Sequence, residues 1–209
     1  MSETVAGIVL AAGASTRMGR NKLLLPLGGE SLLRGAVRRA LEAGFDPVVV
    51  VLGHEAERAR PELAGLACRF VGNPDHASGQ RTSVRAGIRA VQEGSEAPAA
   101  VVLLADMPFV TAAMASELVR RHRETGAPLV LSDYGGVQAP PTLYARSLFE
   151  ELASADGGGC SKRVIARHER DAVRVAWPAA ALADLDRPED YERARKRFAA
   201  GDVACAPTS

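Results

Sequence analysis

Residues 5–22 read Val-Ala-Gly-Ile-Val-Leu-Ala-Ala-Gly-Ala-Ser-Thr-Arg-Met-Gly-Arg-Asn-Lys, an apolar run followed by a loop of small residues. The run 5–10 predicts a buried strand, and the small residues behind it let bare backbone N–H groups approach a ligand. Arg17 and Lys22 place two cations just beyond that loop, where the phosphates of a nucleoside triphosphate would lie. The segment matches neither the Walker phosphate loop nor the dinucleotide-binding glycine fingerprint. The alternative is a glycine turn with solvated basic side chains.

Strand and helix patterns alternate along the rest of the chain. Uninterrupted apolar runs at 47–52 and 100–105 are typical of parallel strands that are buried on both faces. The alternation predicts an α/β fold with three layers, in which an open, mostly parallel sheet binds ligands beyond the carboxyl ends of its strands. The predicted strands are 5–10, 47–52, 68–71, 100–105, 128–131 and 172–176. The predicted helices are one capped by Ser31 and ended by Gly44, then 55–63, 80–92, 112–124, 146–154, 160–168 and 188–199.

The second half of the chain has breaks in this pattern. Two glycines at 135–136 and two prolines at 140–141 interrupt it, and three glycines at 157–159 predict a turn. We expect one domain, because 209 residues suffice for one sizeable core. We expect residues 1–200 to form this single domain, with a nucleotide-binding half at about 1–110 and a half for the second substrate, the acceptor, at about 111–200, and residues 201–209 to form a frayed tail.

Composition narrows the class of protein. The chain is 47% hydrophobic and 24% charged, with a formal net charge of +1. That balance is ordinary for a soluble globular protein and gives no global attraction to nucleic acid or to a membrane surface. No stretch approaches the roughly 18 apolar residues of a membrane span, and the N-terminus lacks the basic segment of a signal peptide. We therefore expect a cytoplasmic protein with no nucleic-acid or membrane partner. Its three cysteines are too scattered for a disulfide framework or a zinc site.

Polar residues directly follow several predicted strands. Asp106 follows the buried run 100–105, and Asn73 and His54 follow two earlier strands. A carboxylate at such a strand end suits Mg²⁺, which prefers carboxylate and phosphate oxygens. The alternative for Asp106 is an N-cap of the helix near Thr111. Asn73 precedes a proline, so turn formation is an equal alternative to ligand contact.

The pattern Leu-Ala-Ala-Gly-x-Ser-x-Arg-Met-Gly-x-x-Lys at 10–22 resembles the signature of nucleotidyltransferases related to the molybdenum cofactor cytidylyltransferases and guanylyltransferases. Leu-Ala-Asp-Met-Pro at 104–108 is similar to the metal-binding segment of that family. Residues 79–83 resemble its segment that touches the base or the ribose. The resemblance implies a Rossmann-like nucleotidyltransferase fold and Mg²⁺ as cofactor. It also implies transfer of a nucleoside monophosphate to a phosphorylated acceptor, with release of pyrophosphate.

The same resemblance assigns roles to individual residues. The implied catalytic residues are Arg17, Lys22 and Asp106. The implied nucleotide-binding residues are Leu10, Ala11, Ala12, Gly13, Arg17, Lys22, Asn73, Gly79, Ser83 and Asp106.

The resemblance places the second metal-facing residue at Asp186, so Asp106 and Asp186 would hold the metal. Asp184, two residues earlier, projects to the same side of an extended segment. The alternative for Asp186 is to cap the helix that Pro188 begins. Ser83 could also be a first-turn residue without a ligand.

Ala12 bears on the choice of nucleotide. Members of the family that use GTP tend to read Leu-Ala-Gly-Gly, and those that use CTP read Leu-Ala-Ala-Gly, as residues 10–13 do here. The resemblance therefore implies CTP as the nucleotide. It also favours molybdopterin in its molybdenum-loaded form as the acceptor, with a molybdoenzyme as a candidate recipient of the product.

One segment departs from the family. Members often carry Gly-Asp-x-Gly-Ala-Arg with Gly-x-Pro upstream, whereas residues 157–162 read Gly-Gly-Gly-Cys-Ser-Lys and residues 138–141 read Gln-Ala-Pro-Pro. The departure bears on the acceptor and leaves the nucleotide-binding residues unchanged. One alternative is a cytidylyl- or uridylyltransferase that acts on a sugar or polyol phosphate. Another is a non-catalytic chaperone for the molybdenum cofactor, against which the intact basic and acidic site residues argue.

Overall fold

The computed structural model describes residues 4–154 and 161–201, apart from the side chain of Arg17. Its strands are β1 (Ala6–Ala11), β2 (Pro26–Leu27), β3 (Glu30–Ser31), β4 (Val48–Leu52), β5 (Arg69–Gly72), β6 (Ala99–Leu104), β7 (Leu129–Tyr134), β8 (Gln138–Ala145) and β9 (Ala172–Trp177). Its α-helices are α1 (Leu32–Glu42), α2 (Ala56–Ala59), α3 (Gln80–Gly94), α4 (Ala112–Thr125), α5 (Phe149–Ala153), α6 (Ser161–Arg167) and α7 (Pro188–Ala199). Short 3₁₀ turns lie at Thr16–Met18, Lys22–Leu24, Arg60–Leu63, His76–Ser78, Arg146–Leu148, Glu169–Asp171 and Ala179–Ala181.

Seven of these strands form one sheet in the order β5-β4-β1-β6-β8-β7-β9. Neighbouring strands are parallel except in the two pairs that contain β8. Among the described strands of this sheet, β8 therefore runs against the other six. Strands β2 and β3 form a separate antiparallel hairpin. The expected α/β fold with an open, mostly parallel sheet is confirmed.

Helices cover both faces of the sheet. Side chains of β1 alternate between two cores, with Val9 packed on one face and Ile8 on the other, which explains why the whole strand is apolar. On the first face α1 contributes Val37 and α4 contributes Leu118. On the second face α3 contributes Ile88, and α5 and α6 pack beside it. The result is the three-layer arrangement predicted from the alternation of the elements.

The break expected at Pro140 and Pro141 is wrong, because both residues lie inside β8. The ladder between β7 and β8 skips the two prolines across a bulge between Leu131 and Ser132, so no ladder hydrogen bond requires a proline N–H. The Ser132 hydroxyl also donates to the Pro141 carbonyl at 2.7 Å. β7 ends three residues beyond its predicted end, and its added residues pair with both β8 and β9.

The other predicted elements agree with the structure apart from their ends. Ser31 Oγ accepts the Arg34 N–H at 3.2 Å, which confirms the N-cap of α1. The single helix expected at 55–63 is divided into α2 and the 3₁₀ turn that contains Pro61. No described helix is both long and apolar enough to cross a bilayer. The expected turn at 157–159 and the tail from 202 onward lie outside the described residues, as do Cys160 and Cys205.

Candidate active site

The carboxyl ends of β1, β4 and β6 meet at one edge of the sheet, because the three strands are parallel neighbours. A cavity of about 360 Å³ lies there, within the range of small-molecule sites. Most of the expected nucleotide-binding residues line it, namely Leu10, Ala11, Ala12, Gly13, Lys22, Gly79, Ser83 and Asp106. The remaining lining comes from residues that were not named singly, of which Ser15, Gln80 and Leu104 lie within the motif segments and Leu23 and His76 lie outside them.

The loop after β1 keeps its backbone open toward the cavity. A Cβ added at Gly13 would meet no atom within 4 Å, so a ligand can approach the chain closely there. Ser15 has a left-handed φ of 51°, which is strained for a residue with a side chain. Its Oγ accepts the Lys22 N–H at 3.2 Å and holds the two ends of the loop together. This contact fixes where the Lys22 side chain begins.

Gly53, directly after β4, allows two site segments to approach closely. A Cβ at this position would lie 2.8 Å from the Cβ atoms of Ala12 and His76, closer than real Cβ atoms come. The His54 N–H also donates to the Ala12 carbonyl at 3.3 Å. The His54 ring is exposed and 6.2 Å from the ring of His76. His76, rather than the His54 considered from the sequence, lines the cavity.

The Lys22 ammonium lies between two of the expected metal ligands. Its Nζ is 2.6 Å from Asp106 Oδ2 and 2.9 Å from Asp186 Oδ1, and the lysine side chain is 10% exposed. Burial lowers the pKa of Lys22, but the charges and hydrogen bonds of the two carboxylates together raise it by more. The net pKa of Lys22 is therefore above its ordinary value of 10.5, and the side chain is charged at neutral pH.

A third acid adds negative charge to this group. The pKa of Asp184 is raised from its ordinary 3.8, first by partial withdrawal from water and then by the charges of Asp106 and Asp186. Two carboxylates that converge on one cation, Asp106 and Asp186, form a donor set that fits Mg²⁺, which takes one or two carboxylates together with phosphate oxygens and water. Within 4–154 and 161–201, no group of three acidic, histidine or cysteine side chains forms a metal site made of protein ligands alone.

Neither of these two acids caps a helix. α4 begins after Thr111, whose Oγ1 accepts a helix N–H at 3.2 Å. α7 begins where the Arg187 N–H donates to Asp190 Oδ2 at 2.8 Å. The capping alternatives for Asp106 and Asp186 are therefore wrong, and both carboxylates are engaged by Lys22 instead.

Asn73 lies beneath the cavity and does not line it. Its Nδ2 donates to Thr82 Oγ1 at 2.8 Å and to Ser83 Oγ at 2.9 Å, and its Oδ1 accepts the Asp75 N–H at 3.1 Å. The side chain is buried, and both hydrogens of its amide are used by these bonds. The geometry supports positioning of Ser83, which does line the cavity, rather than the direct nucleotide contact expected of Asn73.

A small hydrophobic cluster joins the segments that carry Lys22, Asp106 and Asp186. We call it the clamp cluster, and its buried members are Met18, Leu25, Leu27, Leu32, Phe109, Leu185, Tyr191 and Ala194. The Tyr191 hydroxyl donates to the Pro26 carbonyl and fastens α7 to the β2–β3 hairpin. Because the cluster takes side chains from each of the three segments, it sets the distances between the charged groups that those segments carry.

Known proteins resemble this chain over most of its length. A family model described as MobA-like NTP transferase domain matches residues 7–173. Purine catabolism protein PucB of Bacillus subtilis (strain 168) is 32% identical, with 91% of this chain and 95% of that protein covered. A probable molybdenum cofactor guanylyltransferase of Opitutus terrae is 32% identical, with coverages of 95% and 98%. The molybdenum cofactor cytidylyltransferase of Escherichia coli (strain K12) is 26% identical, with coverages of 91% and 95%.

Solved structures agree with the sequence comparison. The crystal structure of Rv0371c from Mycobacterium tuberculosis H37Rv superposes with a TM-score of 0.80 at 28% identity, covering 94% of this chain and 100% of that chain. A complex of the same protein with manganese gives a TM-score of 0.76 at 27% identity, with coverages of 92% and 98%. The chain belongs to the MobA-like NTP transferase family.

Proposed function

We propose that this chain transfers CMP from CTP to a phosphorylated acceptor and releases pyrophosphate, with molybdenum-loaded molybdopterin as the favoured acceptor. The observation that carries the proposal is the grouping of Lys22, Asp106 and Asp186 beside a cavity that a small-residue loop lines. Family membership implies a nucleoside triphosphate and a phosphorylated acceptor as the substrates.

The proposed reaction is attack by an acceptor phosphate oxygen on the α-phosphorus of the nucleotide. A new P–O bond forms, the bond from the α-phosphorus to its bridging oxygen breaks, and pyrophosphate leaves with that electron pair. A phosphate monoester is largely ionised near pH 7, so the attack requires no general base from the protein. The work of the protein is in-line positioning and neutralisation of charge.

Charged side chains would act on the phosphates. Arg17 and Lys22 would stabilise the negative charge that develops on the leaving pyrophosphate, with the backbone N–H groups of the loop beside them. Asp106 and Asp186 would hold Mg²⁺, which when bound neutralises phosphate charge. The manganese complex of the relative Rv0371c supports a divalent metal in this fold.

The nucleoside would lie against the first turn of α3. Gly79 and Ser83 line the cavity there and would contact the base or the ribose, with Asn73 holding Ser83 in place. The cavity lining extends from Leu10 to Asp106, which supports a nucleotide-binding half at about residues 1–110. We assign the acceptor to the remaining half, at about residues 111–200.

Ala12 supports the choice of CTP. It lines the cavity, and its buried methyl group packs against the backbone of Gly53, so it has no free space to retreat from a larger base. The names of the relatives point to different nucleotides, because one is a cytidylyltransferase and another a probable guanylyltransferase.

The test is pyrophosphate release from each of the four nucleoside triphosphates, with and without molybdenum cofactor, followed by the mass of the product. We expect release with CTP that depends on the cofactor, and a product heavier by one CMP unit. Preference for GTP or UTP would refute the choice of base alone. Turnover with a sugar or polyol phosphate but not with molybdenum cofactor would refute the acceptor. Binding of the cofactor without any turnover would favour the chaperone alternative.

A further inference from the structure

The Lys22 ammonium occupies the position between the two carboxylates assigned to the metal. Its distances of 2.6 and 2.9 Å to Asp106 and Asp186 are those of charge-assisted hydrogen bonds. A divalent ion held by the same two oxygens would bring two positive charges into direct contact with each other. Lys22 and the metal therefore compete for one place, and only one of them can bridge Asp106 and Asp186 at a time.

The chain is built so that Lys22 can leave this place without unfolding. Its backbone is fixed on both sides, because its N–H donates to Ser15 Oγ at 3.2 Å and its carbonyl accepts the Leu25 N–H at 3.0 Å. The four-carbon stem beyond that anchor has several rotatable bonds, so the ammonium can change partners while the backbone stays in place. Since Lys22 also lines the cavity, a triphosphate there would offer its ammonium a second anionic partner.

We propose that Lys22 is a resident stand-in cation, which offsets part of the negative charge of the carboxylate pair and keeps divalent metal out until a nucleoside triphosphate draws it away. This role rests on the proposed function, which assigns Asp106 and Asp186 to the metal. It adds an order of events to that function. Nucleotide and metal bind together because the nucleotide removes the competing cation, and by linkage the metal strengthens nucleotide binding by the same factor.

The competition predicts an unusual effect of removing a positive charge. Lys22→Met keeps an unbranched side chain of similar length but removes the ammonium from between Asp106 and Asp186. In the absence of nucleotide, this variant should bind Mn²⁺ about tenfold or more tightly than the wild type, because a repelling charge has gone and three acids remain. If Lys22→Met folds poorly, Lys22→Gln takes its place, and we expect the same gain in Mn²⁺ affinity from it.

The experiment is a titration of nucleotide-free protein with Mn²⁺, followed by the electron paramagnetic resonance of the free ion. Two controls separate competition from a general charge effect. Lys22→Arg keeps the cation and should bind Mn²⁺ as weakly as the wild type. Arg20→Met removes an exposed cation from the same loop and should change the affinity for Mn²⁺ by less than about threefold. Thermal unfolding gives a second readout, since Mn²⁺ should raise the Tm of Lys22→Met more than that of the wild type.

The outcomes separate this role from the proposed function. Equal Mn²⁺ affinity in Lys22→Met and wild type, or an equal gain in Arg20→Met, would overturn the stand-in role. The metal assignment is tested by Asp106→Asn in the presence of a non-hydrolysable CTP analogue, with Mn²⁺ binding to the free analogue subtracted. Loss of protein-dependent Mn²⁺ binding in that variant supports the assignment on which the role rests. Unchanged binding would overturn the assignment and the stand-in role with it.

Discussion

The side-chain amide of Asn73 donates to the Ser83 hydroxyl at 2.9 Å, and this bond joins the segment after β5 to the first turn of α3. The same amide donates to Thr82 at 2.8 Å, so one buried side chain fixes two successive residues at the start of the helix. Of these two, Ser83 lines the cavity and Thr82 does not. Variants of Thr82 and of Asn73 can therefore separate a role in stability from a role in nucleotide binding.

Asn73→Ala should reduce both stability and nucleotide binding. Its loss removes the bonds to the buried Ser83 hydroxyl and to the Asp75 N–H, while Thr82 keeps its bonds to backbone carbonyls, and we expect a cost of about 1–3 kcal/mol in the free energy of unfolding. Release of Ser83 should raise KM for the nucleotide by about tenfold with a smaller change in kcat. Thr82→Val is the control, because it removes the bonds of the Thr82 hydroxyl to Asn73 and to the Asp75 and Gly79 carbonyls but leaves the bond between Asn73 and Ser83. Equal effects of the two variants on KM would show that Ser83 is not positioned for the nucleotide.

Ala12→Gly should weaken discrimination against GTP. The change removes one methyl group from the cavity wall without removing a hydrogen bond, and a steric methyl contributes about 1–3 kcal/mol of selectivity. We therefore expect the ratio of kcat/KM for CTP over GTP to fall by about tenfold or somewhat more. The measurement compares both nucleotides in both proteins with the same acceptor. An unchanged ratio would place base selection elsewhere, with His76 and Gln80 as the next residues to vary.

Much of the sheet and of the cavity was predictable because its signals are local. The apolar run of β1, the small residues behind it and Asp106 at the end of β6 are all adjacent in the sequence to the elements that position them. β8 was missed because its two prolines oppose a strand locally, whereas in the structure they are the extra residues of β8 that stay outside the ladder at the bulge opposite Leu131 and Ser132. Local propensity does not reveal which residues of a strand will be left out of the pairing with its neighbour.

The contacts across the site lie beyond local patterns. Lys22 and Asp186 are 164 positions apart, and their hydrogen bond depends on the packing of α7 against the β2–β3 hairpin. Gln80 directly follows Gly79 and His76 lies three residues before it. Their nearness to the segment 79–83 was the sequence feature that could have pointed to them. Neither residue stands in a periodic pattern that would mark it as part of a cavity. The residues of the site could thus be proposed singly, whereas the ion pairs among them could not.

Asp184→Asn should stabilise the metal-free protein at neutral pH. The folded-state pKa of Asp184 is raised above its ordinary 3.8, so the folded chain disfavours its charge. The cost is fully present above the folded-state pKa and disappears as the pH falls to 3.8 and below, where both states are protonated. Urea unfolding of both proteins in a chelating buffer, from neutral pH down to the ordinary pKa of an aspartate, measures whether the variant has the higher free energy of unfolding. A variant less stable than the wild type at pH values near 7 would contradict the account.

Tyr191→Phe tests whether the clamp cluster positions the charged groups. The variant keeps the ring in the cluster and removes the hydrogen bond to the Pro26 carbonyl, at a cost of about 1 kcal/mol in the free energy of unfolding. If that bond sets the position of α7, kcat should fall by about tenfold while KM for the nucleotide changes little. A loss of stability with unchanged kcat would show that the cluster supports the fold alone.

The most direct measurement follows the α-phosphate of the nucleotide. CTP labelled at the α-phosphorus should transfer its label to the acceptor, and CTP labelled at the γ-phosphorus should release its label in pyrophosphate. Asp106→Asn should reduce the transfer by about a hundredfold or more in protein that is still folded at the assay temperature, although the loss of this partner of the buried Lys22 should lower its Tm. Asp171→Asn, an exposed acid at the start of β9 on the opposite edge of the sheet, should leave the transfer unchanged. A γ-label on the acceptor, or Asp106→Asn activity within about tenfold of wild type, would contradict nucleotidyl transfer at this centre.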